Sequence, residues 1–484
     1  MSGNILIFTI LTGISGGIIT ALIPKKADKQ RKVVTLITTL LTAVFVWLQI
    51  PSALQGSAPV IYGSIGTMHW RLQPDPLGII FAVIASTLWV VTAVYSFGYM
   101  KHSEYQRNFY TFYLFSLAVT MGIALSANLF LLYVFYELLT FTTYPLVIHY
   151  RNEESLKAGN RYILYSLVGA GFILAALVTT AIWTGGNLNF STVPLLTNIG
   201  KKPGIVFVLI AFIIGFGVKA AVMPIHRWLP AAMVAPTPVS ALLHAVSVVY
   251  SGVYGILRVV YSVFGHELMG QLNLSNGLLL IASFTILVGV FIATKQDVLK
   301  RRLAYHTISQ LSYILLGAFT LQPWGLTGAI LHMISYSMLK VTLFFCAGII
   351  AEQTGETKVS RMTGVGWALP KTMTAFGIAS LGMIGMLPLN TFWSKYYLMK
   401  GSTAGGKWPF ALVLIGSGII NAVCFIPTVV TAFRGEKVRS NAEQGGNVTL
   451  MLAPTLVLAT AALFIGLWPG VVWPGVEAVV NWFF

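Results

Sequence analysis

The residues of this sequence that are best suited to moving protons are ionisable side chains inside long apolar stretches. Glu137 is the one acid of thirteen that lies in the middle of such a stretch, and Lys219, Lys340 and Lys395 lie at similar depth in others. A charge inside a membrane is costly unless it is paired or hydrated, so such residues usually serve a function. We therefore interpret these four side chains as stations on a proton path.

Two further basic residues, Lys400 and Arg258, are interpreted differently because each lies near an end of its apolar stretch. Long basic side chains in such positions bury their methylene groups and extend the charge to the membrane surface. Glu137 cannot do this, since its side chain is short and far from either end of its stretch. The contrast supports a functional role for Glu137.

Two of the buried lysines stand beside helix-breaking prolines. Lys219 precedes Pro224, whereas Lys395 follows Pro388. Proline inside a membrane helix frees a backbone carbonyl, which is tolerated where the chain lines a hydrated cavity. Broken helices with a charge at the break are typical of transporter sites and often occur in inverted repeats. The opposite order of lysine and proline in the two halves fits inverted repeats; proline kinks with incidental lysines are the alternative.

Histidines in the apolar stretches are suited to relay protons between the lysines, because imidazole titrates near neutral pH. A single buried histidine is more often simply packed and hydrogen-bonded, so the spacing of its polar neighbours matters. His332, Tyr336 and Lys340 follow one another at intervals of four residues and therefore share one face of a helix. Two more polar stripes have helical spacing: Ser240, His244, Ser247 and Ser251, and His306, Gln310 and Tyr313.

The composition excludes a soluble protein. Hydrophobic residues make up 56% of the 484 positions and charged residues only 9%, whereas a soluble domain is about one quarter charged. Cys346 and Cys424 both lie in apolar stretches, which excludes a disulfide framework and a cysteine-ligated metal site. No CxxC, Walker or dinucleotide-binding motif is present. We therefore expect no metal ion, no organic cofactor and no active site of its own in this chain.

The elements that must position the candidate residues are membrane-spanning helices, each of which needs about 20 mostly apolar residues. The first stretch begins at Ile5 with no basic residue before it, so we interpret it as a membrane helix and not a cleaved signal peptide. The sequence predicts an all-α polytopic membrane protein of about fourteen spans, the fourth and fifth divided at Asn128. The predicted spans are 4–24, 33–51, 77–100, 110–127, 128–149, 159–184, 204–224, 236–260, 273–293, 303–320, 324–350, 370–399, 408–433 and 449–470.

The charges of the connecting loops support this count of spans. Loops after odd-numbered spans carry 21 of the 30 basic residues, from Lys25 to Arg439, and loops after even-numbered spans carry 5. The main exceptions are Lys201 and Lys202. Basic loops stay in the cytoplasm, so we expect a multi-pass protein of the plasma membrane with both termini outside. The net charge of +17 is thereby explained without a nucleic-acid partner.

Three segments resemble the proton-conducting, antiporter-like subunits of respiratory complex I and of Mrp-type sodium/proton antiporters. They are GVKAAVMPIHRWLPAAMVAPTPVSALLHA (217–245), KRRLAYHTISQLSYILLG (300–317) and LPLNTFWSK (387–395). The resemblance covers most of the chain, about 75–435. Within the family, PDPLGIIFA (74–82) and YSFGYM (95–100) favour the D subunit of Mrp antiporters or the similar subunit of membrane-bound hydrogenases.

The resemblance implies fourteen helices with two inverted five-helix repeats, spans 4–8 and 9–13, in which helices 7 and 12 are broken. It divides the chain into helices 1–3 (1–109), a first repeat (110–262), a second repeat (273–435) and a last helix with its tail (449–484). It also implies a proton path through Glu137, Lys219, His244, His332, Lys340 and Lys395. Additional relay residues would be Tyr250, Ser247, Ser251, His306 and Tyr336.

The sequence departs from the family pattern at several positions of this path. Tyr250 stands where similar members usually carry a lysine, and tyrosine does not hold a positive charge. His306 replaces a common serine, and Tyr336 replaces a histidine of some relatives. Leu387 replaces the first of two prolines, and at Lys395 some relatives carry glutamate. The middle of the lysine chain therefore depends on His244 and the serine stripe.

The resemblance implies a subunit that translocates protons, with Na⁺ as a further candidate ion, inside a multi-subunit complex. An Mrp-type antiporter is the first interpretation, with small Mrp-like subunits, another antiporter-like subunit and lipid as partners. The alternative is a proton-pumping subunit of a hydrogenase, formate hydrogenlyase or NADH:quinone oxidoreductase, with iron–sulfur partners. A redox subunit that itself binds quinone, flavin or haem and a free-standing solute transporter fit the residues less well.

Overall fold

The computed structural model describes residues 3–66, 68–200, 202–438 and 447–484. Lys201 and Arg439, which entered the count of loop charges, lie outside these residues. Within them, eleven helices are long and apolar enough to cross a membrane. The other three predicted spans differ in form. The helix of 303–320 has a basic first turn, and the helices of 204–224 and 370–399 are broken in their middle. The all-α polytopic fold is confirmed.

The helices of the first part of the chain follow the predicted spans closely. They are α1 (Asn4–Leu22), α2 (Asp28–Leu48), α3 (Ile50–Leu54), α4 (Pro76–Tyr99), α5 (Gln106–Leu125), α6 (Leu129–Val147), α7 (Glu153–Trp183), α8 (Ile205–Lys219), α9 (Trp228–Ala231), α10 (Thr237–Ala245), α11 (Val248–Arg258) and α12 (His266–Gln271). Short 3₁₀ turns cover Thr197–Ile199 and Ala232–Val234, and a π-helical turn covers Val259–Phe264.

The second part of the chain is also helical. Its helices are α13 (Ser275–Thr294), α14 (Leu299–Phe319), α15 (Pro323–Thr354), α16 (Val365–Ala368), α17 (Pro370–Ile384), α18 (Thr391–Ala404), α19 (Trp408–Ala432), α20 (Asn447–Leu467) and α21 (Trp473–Phe483). The 3₁₀ turns here are Val359–Arg361 and Pro469–Val471. Every residue of α10 and α11 is buried, and so are most residues of α14 and α15, so these helices form the centre of the bundle.

The long loop that follows α3 contains the two strands of the structure. Strands β1 (Ile61–Ile65) and β2 (Met68–Leu72) pair antiparallel, with Tyr62 opposite Arg71. We predicted that no soluble domain fits here, and a single hairpin agrees with that.

The division between the fourth and fifth spans is confirmed at Asn128. Its side-chain oxygen accepts hydrogen bonds from the backbone N–H groups of Phe130 (2.8 Å) and Leu131 (3.2 Å). A side-chain acceptor at this position satisfies N–H groups that have no partner within the helix. Asn128 therefore begins α6, and α5 ends just before it at Leu125.

Two predicted spans are interrupted, one as expected and one not. The break expected in the seventh span, 204–224, lies after Lys219, where α8 ends and irregular backbone follows to Arg227. The eighth was predicted as one helix, 236–260, but α10 ends at Ala245 and α11 begins at Val248. The four-residue spacing of the serine stripe therefore does not describe one continuous helix face.

Candidate functional site

Lys219 is the last residue of α8 and is fully buried. Its ammonium donates a hydrogen bond to the backbone carbonyl of Tyr136 on α6. The same Nζ lies 3.5 Å from the centroid of the Tyr136 ring. A carbonyl and the negative face of an aromatic ring both stabilise a cation that has left water. The break of α8 thus places a lysine against the middle of α6.

Gly252 allows α11 to pack directly against the end of α8. A Cβ atom at Gly252 would lie 2.2 Å from the backbone nitrogen of Ala220 and 2.8 Å from the carbonyl carbon of Lys219. Backbone atoms cannot move aside as a flexible side chain can, so any larger residue would separate the helices. Trp228 also contacts the end of α8, where its indole N–H donates to the carbonyl of Val218 over 2.7 Å.

Glu137 follows Tyr136 on α6 and is half-buried. Its Oε1 is buried and has no hydrogen-bond partner. Among the described residues Glu137 forms no ion pair within 4.0 Å, so Glu137 and Lys219 are not paired in this structure. Lys219 nevertheless bonds to the backbone of Tyr136, the residue that directly precedes Glu137. The two groups are neighbours held apart.

His244 lies in the last turn of α10, one residue before that helix ends. Its side chain is fully buried, and neither ring nitrogen has a hydrogen-bond partner. The serines predicted to extend its stripe bond to their own backbone: Ser247 donates to Leu242 over 3.2 Å and Ser251 to Val248 over 2.7 Å. A relay through these two hydroxyls would first have to break those bonds.

Four near-parallel rings connect α11 with α15 and α14, and we call them the ring column: Tyr250, Tyr336, His332 and Tyr313. Successive ring centroids are 6.4, 5.9 and 5.2 Å apart, with interplanar angles of 9°, 12° and 12°. The Tyr250 hydroxyl donates to the carbonyl of Met333 over 2.8 Å. The column therefore holds Tyr250 against α15.

Lys340 and His306 form the closest contact between titratable side chains of the path. Lys340 Nζ lies 2.9 Å from His306 Nδ1 and donates to the Leu303 carbonyl over 3.1 Å. Both side chains are fully buried. Two nitrogens at this separation share one proton, because two N–H groups cannot point at each other. The pair therefore holds an exchangeable proton between α15 and α14.

The hydrogen bonds of His332 fix its tautomer. His332 Nδ1 lies 2.9 Å from Ser394 Oγ, and that hydroxyl donates its own hydrogen to the Thr391 carbonyl over 2.8 Å. A hydroxyl has one hydrogen, so Ser394 accepts from His332 and Nδ1 carries the proton. Nε2 is then an acceptor, buried and without a partner. His332 is thus oriented to accept a proton.

Lys395 lies in α18, the helix segment that follows the second break, and is almost fully buried. Its Nζ donates to the carbonyls of Met383 (2.7 Å) and Ile384 (2.8 Å), the last residues of α17. The negative end of a helix dipole stabilises a cation in this position. Gly385 turns the chain away with φ +97°.

Arg258 is buried inside the protein and does not extend its charge to water, so its interpretation as a snorkelling side chain was wrong. It is 1% exposed and pairs with Asp75, at 2.5 Å for Nη1–Oδ2 and 2.6 Å for Nη2–Oδ1. The Tyr254 hydroxyl accepts a further bond from its Nη2. Asp75 also begins α4 by accepting from the N–H of Gly78. Lys400, by contrast, is half-buried over the Trp324 ring, as a surface-directed lysine should be.

The middle of the second half contains polar atoms that are buried without a protein partner. Buried polar atoms are normally hydrogen-bonded, so a cluster of this kind suits internal water molecules that carry protons. The atoms are His306 Nε2, Gln310 Oε1 and Nε2, Ser312 Oγ, His332 Nε2, Ser417 Oγ and Asn421 Oδ1. Asn421 and Ser417 were missed, because nothing in their spacing sets them apart on α19. In the described residues no group of His, Cys, Asp and Glu could hold a metal ion.

Comparison with known proteins identifies relatives along most of the chain. Residues 126–420 match the family model described as NADH:quinone oxidoreductase/Mrp antiporter, TM. NADH-quinone oxidoreductase subunit N of Desulforudis audaxviator is 32% identical over 414 residues, which cover 82% of each chain. Na(+)/H(+) antiporter subunit A1 of Staphylococcus aureus is 29% identical over 84% of this chain. The chain spans about half the length of that antiporter subunit, 53%.

Solved membrane complexes contain the same fold. A chain of the membrane-bound sulfane sulfur reductase, an archaeal respiratory membrane complex, superposes with a TM-score of 0.87 at 23% identity over 99% of this chain and 97% of that one. A chain of the Mrp complex from Dietzia sp. DQ12-45-1b gives 0.85 at 24% identity, over 98% and 52%. The family match covers both broken-helix lysines, Lys219 and Lys395. The chain is a member of the NADH:quinone oxidoreductase/Mrp antiporter family of antiporter-like membrane subunits.

Proposed function

We propose that this chain translocates protons as the D-type subunit of an Mrp monovalent cation/proton antiporter. One observation carries the proposal: a single buried set of titratable groups extends from the break of α8 to the break between α17 and α18. Lys219 lies at one end of it and Lys395 at the other, with the ring column and the Lys340–His306 pair between them. Such groups are costly inside a membrane unless they are used.

In this proposal a proton leaves the Lys219 ammonium when Glu137 moves away from it. A carboxylate near a lysine stabilises the ammonium, and the stabilisation falls as the distance increases. The proton then crosses by water and side chains to the Lys340–His306 pair and on to Lys395. Each tenfold change in proton affinity corresponds to about 1.4 kcal/mol, so small movements of Glu137 are sufficient to control the transfer. Na⁺ is a further ion that the same complex would exchange.

Two broken helices of opposite order support the two inverted repeats. Lys219 ends the first segment of its broken helix, whereas Lys395 lies in the second segment of the other. We propose the boundaries 1–109, 110–262, 273–435 and 449–484 for the four parts of the chain. We also propose that the basic loops face the cytoplasm of a cell whose plasma membrane holds the protein, with both termini outside.

The second candidate function is that of a proton-pumping subunit in a redox-driven complex. A specific observation favours it: the similarity to NADH-quinone oxidoreductase subunit N covers 82% of both chains, whereas the antiporter subunit A1 is about twice as long. The chain would then have no active site of its own and would move protons in response to a neighbouring redox subunit.

Purification of the complex through a tag on this chain separates the two functions. An Mrp antiporter is expected to yield several small membrane proteins and another antiporter-like subunit, without iron–sulfur proteins. Vesicles that contain it are then expected to exchange Na⁺ for protons when a Na⁺ gradient is applied. Recovery of iron–sulfur proteins and pumping driven by an electron donor would establish the redox-driven function instead.

A further inference from the structure

We propose that Lys300 is the residue that passes protons from the basic face of the membrane to His244. The inference rests on the proposed function and identifies where protons enter the path. Lys300 occupies the first turn of α14, where it was counted only as one basic loop residue among many. Its position in the structure differs from that of an ordinary loop lysine.

A cavity of about 340 Å³ lies beside Lys300 at the face that carries the basic loops. The start of α7, the turn at 230–234, the first turn of α14 and the end of α15 surround it. Its charged lining residues are Glu154, Lys300, Arg301 and Glu356. A space of this size holds many water molecules, so protons can reach Lys300 through it.

Hydrogen bonds make one wall of this cavity rigid. The Leu299 N–H donates to Thr357 over 2.9 Å, and the Val359 N–H donates to Asp297 over 2.7 Å. The Asp297 carboxylate also accepts from the backbone N–H and the hydroxyl of Ser360, each over 2.9 Å. The backbone N–H of Ser360 is the main reason that the pKa of Asp297 lies below its usual value. The loop after α15 is thereby fixed to the start of α14.

Lys300 extends inward from the cavity. Its Nζ donates to the carbonyl of Ala235 over 2.6 Å, although Glu154 and Glu356 line the same space. The hydroxyl of Ser240 donates to the same carbonyl over 3.3 Å. Ala235 is buried and Ser240 fully so. The ammonium and the hydroxyl therefore meet at one acceptor inside the protein.

Ser240 leads from this point to His244. The two residues lie one turn apart on α10, so their side chains share a face of that helix. His244 has two buried ring nitrogens without hydrogen-bond partners. In the proposed step the Ser240 hydroxyl releases its bond to Ala235, accepts a proton from the Lys300 ammonium and passes its own proton to His244. The neutral amine then takes one proton from the cavity, so one proton moves per cycle.

Three substitutions at Lys300 test this role in the intact complex reconstituted in liposomes. Lys300→Met removes the amine at similar volume. Lys300→Arg keeps the cation and its hydrogen bonds, but a guanidinium does not release its proton. Lys300→His restores a group that exchanges protons. Arg301→Met is the matched control, since Arg301 lines the same cavity and is half exposed, whereas the bond to Ala235 comes from Lys300.

We expect Lys300→Met and Lys300→Arg to slow proton flux by about tenfold or more, with Lys300→His intermediate and increasingly pH-dependent. Arg301→Met should retain the wild-type rate, and all variants should be present in the membrane at equal amounts. Full flux in Lys300→Met, or in Lys300→Arg, would overturn the proposal, because a purely structural lysine is best replaced by arginine. A wild-type complex that carries no proton flux would instead overturn the proposed function.

Discussion

The two halves of this protein hold their buried cations in different ways. In the first half, Lys219 has the carboxyl of Glu137 as its charged neighbour, and Arg258 is paired with Asp75. In the second half, the described residues place no carboxylate beside the buried lysines. Lys340 instead contacts an imidazole and Lys395 two helix-end carbonyls.

The difference shows how each half can release a proton. A carboxylate attracts a cation over several ångströms. In the first half, a displacement of Glu137 therefore changes the proton affinity of Lys219 without any direct contact. Carbonyls and imidazoles act only within hydrogen-bond reach, so the second half depends on direct contact. We infer that the first half is controlled by the position of Glu137 and that the second half responds to the protons it receives.

The largest effect is expected from substitution of the Asp75–Arg258 pair, which has no described counterpart in the second half. Asp75→Asn leaves a buried guanidinium without its counter-charge, and such losses cost about 3–5 kcal/mol of stability. Thermal unfolding of the detergent-solubilised protein measures the change. The double variant Asp75→Asn/Arg258→Gln should recover part of it, and a single variant as stable as the wild type would show that the pair contributes nothing.

Glu137→Gln tests control of the first half. The amide keeps the size of the side chain but removes the charge that acts on Lys219, so we expect proton flux to fall by about a hundredfold, or about 2.7 kcal/mol of barrier. Fluorescence quenching of a pH probe in vesicles measures the flux. Glu352, an exposed acid at the end of α15, provides the control: Glu352→Gln should transport normally. Equal flux in both variants would place control elsewhere.

His306→Ala tests whether proton transfer in the second half depends on direct contact between titratable groups. Lys340 would keep its bond to the Leu303 carbonyl but lose the nitrogen with which it shares a proton. We expect flux to fall by about tenfold, or about 1.4 kcal/mol of barrier. His306→Gln offers an acceptor but no exchangeable site, so it should be equally slow. If glutamine restored the rate, the role of His306 would be to hold Lys340 in place.

The turns at the two breaks offer the most symmetrical comparison between the two halves. Gly385 has φ +97°, and a Cβ there would lie 2.7 Å from the Lys395 side chain. Ala221, in the first break, adopts φ +54° although it has a Cβ. Gly385→Ala should cost about 1–2 kcal/mol of stability, whereas Ala221→Gly should relieve strain of similar size. Unfolding midpoints compare the two, and a stable Gly385→Ala protein would show that the second turn tolerates a side chain.

Much of this architecture is visible in the sequence, because apolar length and loop charge are local properties. The spans, the break at Asn128 and the lysines at both broken helices were predicted from them. The interruption after Ala245 was not, because neither proline nor glycine marks it. Arg258 was misjudged because its partner lies 183 residues away in the chain. The ring column was missed because stacking between α11, α14 and α15 depends on tertiary packing.

The most direct test of the account is the proton flux of the reconstituted complex when Lys219 is replaced. Lys219→Met fills the break of α8 without a protonatable group, and Lys219→Arg retains the cation over the Tyr136 carbonyl but holds its proton permanently. We predict that both variants assemble and that both lose flux by about a hundredfold or more. Wild-type flux in either assembled variant would contradict the assignment of Lys219 as a proton station.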